Sequence, residues 1–313
     1  MRVAMYYNNQ DVRLEEMPKP KIGRGELLVR VMASGICGSD VMEWYRVKKA
    51  PLVLGHEISG EIVEVGEGIK AWKEGDRVFV SHHVPCNTCK YCLSGHQTVC
   101  DTLRSTNFEP GGFAEYLRVP EINVDRGVFL LPDDISFEEG TFIEPLGCCV
   151  RGLRLARFQP GWSVLVLGSG ISGLLNISLA RALGASWVVS TDVNEYRLKQ
   201  AKRFGADYAV QANEDLSSVI RDRNKDKLAD LVIVSTGAPP AFTQALSCVD
   251  RGGTVLFFAP PEPGVQVSLS GWDFWRDQIT VLSTYAASPL DIETATELIR
   301  TRRIPVTHMI THR

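Results

Sequence analysis

Residues 163–192 read SVLVLGSGISGLLNISLARALGASWVVSTD, and this stretch decides the fold. Ser163 to Leu167 is an almost wholly apolar run, short enough for a strand buried on both faces. Gly168, Gly170 and Gly173 follow at G-x-G-x-x-G spacing, and an amphipathic helix pattern runs on to Leu183. A second apolar run at 187–191 ends on Asp192, nineteen residues after Gly173. The glycine spacing alone is weak evidence. A strand before it, a helix after it and an acid at this distance make it a dinucleotide fingerprint. The glycines let the backbone approach a pyrophosphate, which then meets the unpaired N–H groups of a helix start. Asp192 would accept hydrogen bonds from both ribose hydroxyls and repel a 2′-phosphate, which selects NAD over NADP. A glycine turn that merely lets helix and strand pack closely is the alternative.

Downstream, apolar runs at 231–235, 254–258 and 279–284 alternate with helical segments, as in a doubly wound parallel sheet. The first two end at Thr236-Gly237 and Ala259-Pro260, at strand ends where such a sheet binds its ligand. Upstream the rhythm differs. Short alternating runs such as Leu27 to Met32, Ile62 to Val65 and Arg77 to Val80 are separated by Pro18, Pro20, Gly23, Gly25, Gly60, Gly66, Gly68 and Gly75. They predict antiparallel strands of a closed or Greek-key β domain. Ser136, with Glu139 three residues on, has the capping-box pattern of a helix start, and the helix it opens carries Glu144.

Two clusters interrupt the β-rich half. In residues 81–104, Cys86, Cys89, Cys92 and Cys100 give C-x2-C-x2-C-x7-C. Four thiolates suit the closed tetrahedral site of a structural zinc, which would tie down a lobe with little apolar content. An iron–sulfur cluster or chance buried cysteines are the alternatives. The second cluster lies in residues 35–57, GICGSDVMEWYRVKKAPLVLGHE, where Cys37, His56 and Glu57 supply the three side-chain types that zinc accepts.

The 313 residues are enough for two domains, with 44% hydrophobic and 23% charged residues as in ordinary globular proteins. A net charge of −3 gives no basic face, which argues against nucleic acid or an anionic membrane as partner. Residues 1–7 already read as a strand rather than as a secretory leader, and no apolar run approaches spanning length. Eight cysteines in such a chain point to metal or catalysis rather than to disulfides, and the expected location is the cytoplasm.

These motifs in this order resemble the zinc-containing medium-chain dehydrogenases, especially the sorbitol (polyol) and threonine dehydrogenase branches. The resemblance rests on residues 35–40, on Gly55-His56-Glu57, on the four-cysteine lobe, on Glu144-Pro145-Leu146, and on 168–173 with Asp192. It implies a GroES-like β-rich catalytic domain over 1–146, with the zinc lobe at 81–104, completed by 285–313. A Rossmann domain would occupy 147–284. Cys37 and His56 would bind a catalytic zinc directly. Glu57 and Glu144 would complete its sphere, one directly and the other directly or through water; Glu144 is preferred over nearby Cys148 and Cys149. Gly168, Gly170, Ile171, Ser172, Gly173, Asp192, Arg197 and Thr236 would hold NAD. The implied reaction passes hydride from a polyol or other secondary alcohol to NAD through a zinc-bound alkoxide. Ser39 would take the alcohol proton, or else cap the helix starting there.

The chain also departs from the family pattern. Met42 stands where relatives carry a relay histidine, which leaves Glu43 or water to move the proton on. His83 sits three residues before Cys86, where threonine dehydrogenases place a functional histidine, yet His82-His83 would equally suit a solvated pair. The sequence ends at Arg313, where relatives continue for about a helix and a strand. L-Threonine 3-dehydrogenase and a zinc-stabilised NAD-binding protein without turnover are the rival functions. A homodimer or homotetramer is implied by the resemblance alone.

Overall fold

A computed structural model describes residues 1–313, and the chain divides into two compact units. The first comprises Met1–Gly147 and Ala286–Arg313, the second Cys148–Tyr285. No helix is long and apolar enough to cross a membrane.

The first unit holds eight strands: β1 (Arg2–Asn8), β2 (Asp11–Glu16), β3 (Leu27–Gly35), β4 (Leu52–Val53), β5 (Glu57–Val65), β6 (Arg77–Val80), β7 (Tyr116–Val119) and β8 (Val128–Leu130). All pair antiparallel, in a three-stranded sheet β2-β1-β4 and a five-stranded sheet β7-β3-β5-β6-β8. Alternation decides which face turns inward. Leu27 and Val29 of β3 meet Ile58 and Ile62 of β5 and Val78 and Val80 of β6 in one apolar core. Fully burying each such side chain is worth about 1.5–3 kcal/mol. The strand β5 begins at Glu57, so the sheet itself fixes the carboxyl that the sequence singles out.

The second unit is a six-stranded sheet of β9 (Ser163–Leu167), β10 (Trp187–Asp192), β11 (Tyr208–Gln211), β12 (Ala229–Val234), β13 (Val249–Phe257) and β14 (Thr280–Ser283). Every neighbour is parallel, in the order β11-β10-β9-β12-β13-β14. That is the doubly wound order 3-2-1-4-5-6, whose switch point lies beside β9. Residues of β9 are buried on both faces, which is why its sequence is a continuous apolar run.

The structure refines two expected helices. The helix opened by Ser136 does start there with a reciprocal capping box, but it stops at Gly140. The Phe142 N–H turns back to the Glu139 carbonyl at 3.0 Å, and a second helix, Ile143–Leu155, carries Glu144. The helix after the glycine turn, Ile171–Ala182, is not amphipathic: Gly173 through Ala180 are all buried. Its apolar residues are spread around its circumference instead of along one stripe.

Gly173 shows why that helix can sit so close to β9. A Cβ built there would lie 2.0 Å from the Gly168 carbonyl oxygen. Gly173→Ala should therefore lower stability by roughly 1–3 kcal/mol through forced backbone movement. It should also weaken dinucleotide binding. Urea unfolding followed with NADH fluorescence titration checks both, and unchanged values for the two would refute the close-packing argument.

Candidate metal centre and dinucleotide turn

The turn after β3 places the first cluster. Cys37 caps a 3-10 turn, Gly38–Val41: its sulfur accepts the Ser39 N–H at 3.4 Å, and Asp40 Oδ2 accepts the Cys37 N–H at 3.1 Å. Ser39 is thus not the cap that was one of its two expected roles. At the other side, Gly55 adopts φ +89°, a conformation that favours glycine, and delivers His56 at the head of β5. A Cβ at Gly55 would also strike Phe113. Cys37 Sγ, a His56 ring nitrogen and a Glu57 carboxylate oxygen all lie within 4.8 Å of one another.

Charge in this cluster is finely opposed. Burial pushes the His56 pKa down, but hydrogen bonds to Asp40 and Cys37 and the charge of Glu144 hold it well above the ordinary histidine value. Burial and the charge of Glu144 push Glu57 up to about 8, against the pull of His56. A buried carboxyl, an imidazolium and a thiol so close together are a donor set that a divalent cation would satisfy. The upward shifts of His56 and Glu57 both favour the protonated forms, whose protons must be released for these groups to bind metal. Zinc binding to the metal-free chain should therefore release protons from these groups. It should also tighten as pH rises through about 8 and weaken as pH falls. Calorimetry in buffers of different ionisation enthalpy measures this, and zero release would contradict it.

The lobe gathers the other set. The four sulfurs of Cys86, Cys89, Cys92 and Cys100 lie within 4.8 Å of one another. Cys92 Sγ is 3.9 Å from that of Cys86 and 3.6 Å from that of Cys89. Four sulfurs bound tetrahedrally at ~2.3 Å to a single ion stand ~3.8 Å apart, so the spacing fits one zinc. An iron–sulfur cluster, whose four cysteines are divided among two or four irons, would spread them further.

In the second unit, Gly170 caps the 12-residue helix Ile171–Ala182 with no side-chain hydrogen bond, and a Cβ there would meet nothing within 4 Å. Open space thus faces free N–H groups, which fits an incoming phosphate. Ile171 and Ser172 form the first turn of that helix. Buried Asp192 ends β10; its two oxygens accept the N–H groups of Ser169 and Asn194, each at 2.9 Å. Arg197 stands 3.7 Å from the same carboxylate and is half exposed. Thr236 follows β12, its hydroxyl accepting the Ala238 N–H at 3.3 Å.

Residues 23–133 match the family model "Alcohol dehydrogenase GroES-like domain", and residues 172–301 match "Zinc-binding dehydrogenase". The sorbitol dehydrogenase of Bacillus subtilis (strain 168) is 34% identical over 271 residues, 83% of this chain and 75% of that protein. The chain belongs to the zinc-containing medium-chain dehydrogenases. The L-threonine 3-dehydrogenase of Cronobacter sakazakii is as similar, 35% identical over 266 residues, 82% of this chain and 76% of that protein. The crystal structure of galactitol-1-phosphate dehydrogenase from Escherichia coli superposes with a TM-score of 0.87 at 29% identity. That match covers 100% of this chain and 92% of the other. The fold is the GroES-like β domain with a Rossmann sheet, and the chemistry is that of an NAD(P)-linked oxidoreductase acting on an alcohol.

Against this family background, several placements differ from expectation. Glu43 makes no hydrogen bond to Ser39; its carboxylate accepts the Asn9 N–H at 3.1 Å on the N-terminal hairpin. The His82-His83 pair is half-buried rather than fully solvated. The His82 ring packs at a tilt against both His83 and His56, with centroids 3.9 and 4.8 Å away, and His83 Nδ1 sits 3.1 Å from the Thr106 carbonyl. Burial and the neighbouring positive groups depress the pKa values of both histidines, His83 to about 4. A cavity of about 680 Å³ beside the Cys37 turn has Asp40, Ile36 and Val41 in its wall, but none of Cys37, His56 or Glu57.

Asp40 and Arg46 escaped the sequence reading. Asp40 Oδ1 faces His56 Nδ1 at 3.5 Å and Arg46 Nη2 at 3.4 Å. A capping-box reading of Cys37 with Asp40, the same logic applied to Ser136, would have flagged the first. Arg46 lies on the short helix Glu43–Arg46, and no local pattern pointed to it.

Proposed function

We propose that this chain oxidises a polyol or another secondary alcohol with NAD, using one zinc for chemistry and a second for structure. The observation that carries the polyol reading is the composition of the Cys37, His56 and Glu57 cluster. It is completed electrostatically by Glu144, whose charge is the leading neighbour effect on Glu57. A set with two carboxyls and one thiol matches the polyol pattern rather than a cysteine-rich one. Cys37, His56 and Glu57 would hold the ion, with Glu144 binding directly or through water. Zinc at this position supplies Lewis acidity, which favours ionisation of an alcohol hydroxyl. Ser39, on the same turn as Cys37, is the protein hydroxyl for the substrate oxygen. Buried Asp40 orients His56, as carboxylates commonly orient ligating histidines.

For the dinucleotide, Gly168, Gly170, Ile171, Ser172 and Gly173 would receive the pyrophosphate, and Thr236 would line the same strand-end crevice. Each Asp192 oxygen already carries one backbone N–H and keeps a lone pair for a ribose hydroxyl. Its negative charge disfavours a 2′-phosphate, so NAD is the proposed acceptor, with Arg197 steadying the carboxylate. A homodimer or homotetramer belongs to the same reading.

The test is NADH formation with sorbitol, xylitol, inositols, butanediol and L-threonine, repeated with NADP. Polyol oxidation with a clear preference for NAD is expected. Activity confined to threonine would replace the polyol reading with the second one, favoured by the near-equal identities of the two relatives. Dinucleotide binding without any alcohol-dependent reduction would mean a binding protein.

A further inference from the structure

Arg46 is a permanent cation placed against the one hydroxyl on the Cys37 turn. Its side chain is only 15% exposed. Nε donates to the Ser39 carbonyl at 2.9 Å, Nη2 to Ser39 Oγ at 2.8 Å, and Nη2 again to Asp40 Oδ1 at 3.4 Å. We propose that Arg46 is a positioning residue that fixes the Ser39 hydroxyl as a hydrogen-bond donor toward the substrate oxygen. This rests on the dehydrogenase reading above and sharpens it.

The direction of the bond follows from the donor inventory. A guanidinium has five N–H donors, no acceptor, and does not lose its proton in a protein. In the Arg46–Ser39 bond the serine oxygen is therefore always the acceptor. A serine hydroxyl has one O–H and two lone pairs, so its hydrogen is left for another partner. Donation into Oγ also polarises the O–H and strengthens it as a donor.

The same geometry argues against Ser39 as the first acceptor of a proton relay. Taking up a proton would build positive character on Oγ at 2.8 Å from a guanidinium nitrogen. Beyond Ser39, Met42 offers no titratable group, and Glu43 is engaged by the Asn9 N–H. A cation behind Ser39 instead favours negative charge on the substrate oxygen in front of it. The alcohol O–H would then give its proton to water, and the hydrogen on the same carbon would leave with the C–H electron pair as hydride to a bound oxidised nicotinamide, leaving the C=O of the product.

Arg46 also touches Asp40, so action through Ser39 must be separated from action through Asp40 and His56. A double-mutant cycle of Ser39→Ala and Arg46→Met does this. The first readout is calorimetric affinity, in the presence of NAD, for trifluoroethanol, an alcohol too electron-poor to give up hydride readily. The second is kcat/KM for the best polyol. Each single variant should lose about 10-fold, and the double variant should lose about 10-fold as well. Zinc content should stay at the wild-type value in all three. Arg46→Lys, which keeps one donor for Oγ, should stay within about threefold of wild type.

Additive losses of about 100-fold in the double variant would overturn the proposal. So would loss of zinc in Arg46→Met, or Arg46→Lys behaving like Arg46→Met. A wild-type chain that neither binds nor oxidises any alcohol overturns the functional reading along with it. Additivity in a wild-type background that does oxidise alcohols overturns the Arg46 proposal alone.

Discussion

His56→Ala should cut alcohol-dependent NADH formation by at least ~10⁴-fold while reducing zinc from two ions per chain to one. The size follows from what the metal contributes. A catalytic zinc can bring the pKa of bound water from ~15.7 to ~7. A comparable shift of ~9 units for an alcohol is roughly 12 kcal/mol at 1.36 kcal/mol per unit. Losing only half of this, ~6 kcal/mol, already removes roughly four orders of magnitude in rate. Alanine at 56 leaves Cys37 and Glu57 with one neutral nitrogen donor fewer and deprives Asp40 of its facing ring at 3.5 Å. The buried Glu57 carboxyl then keeps its proton up to higher pH, since His56 is the stronger of the two groups, with Cys37, that lower it. NADH affinity should be unchanged, because the glycine turn and Asp192 belong to the unit Cys148–Tyr285. Elemental analysis and turnover are measured on the same sample. Two zincs and more than about 1% residual turnover in this variant would sink the assignment of His56 as a ligand.

How much could be read from the sequence depended on how far apart the cooperating residues stand along the chain. The window 163–192 carries strand, turn, helix and acid within thirty residues, so the Rossmann sheet was legible before any coordinates. The antiparallel half was legible from alternation, as in Leu27 and Val29, though not which strands pair. Hydrogen bonds between β3 and β5 join residues about thirty apart, and several registers satisfy the same alternation. Ser136 announced its helix correctly, but nothing local signalled the stop at Gly140. The surroundings of Ser39 were the hardest to read. Glu43 follows Met42 directly, so adjacency made it the natural candidate, yet the helix Glu43–Arg46 turns it to Asn9. Arg46, seven residues after Ser39, returns to the hydroxyl because two helical turns intervene. His82 likewise comes to pack against the His56 ring only because β6, paired with β5 up to Val80, leads the chain directly into residues 81–83.

Cys92→Ser should unfold the lobe around residues 84–107 while the rest of the first unit keeps its sheets. The lobe contains only short helical turns, Lys90–Leu93, Gln97–Val99 and Asp101–Ser105. None approaches the dozen or so residues at which an isolated helix becomes even marginally stable. Its own buried apolar centre consists of Cys92, Cys100 and Leu103, with Cys86, Cys89 and Ala286 packed against them. The folding energy must come from elsewhere, and the sulfurs are the remaining source. Left to themselves they disagree: hydrogen bonds from Thr88 and from backbone N–H groups pull Cys86 down to about 5, whereas burial pushes Cys92 up to about 12. At pH 7 one would be a thiolate and the other a thiol. Cys86, Cys89, Cys92 and Cys100 would hold a zinc ion as thiolates, and structural zinc sites contribute apparent binding energies of about 10–16 kcal/mol. Serine at 92 removes one of four ligands from a buried position, so most of that contribution disappears. Amide hydrogen exchange in 84–107 should then accelerate by about 10³-fold or more, a loss of at least ~4 kcal/mol of local stability. A chelator applied to the wild-type chain should produce the same pattern. Exchange in the Cys148–Tyr285 unit should not change in either case. Retained protection in Cys92→Ser would mean that packing of Leu103 and its neighbours, not metal, holds the lobe.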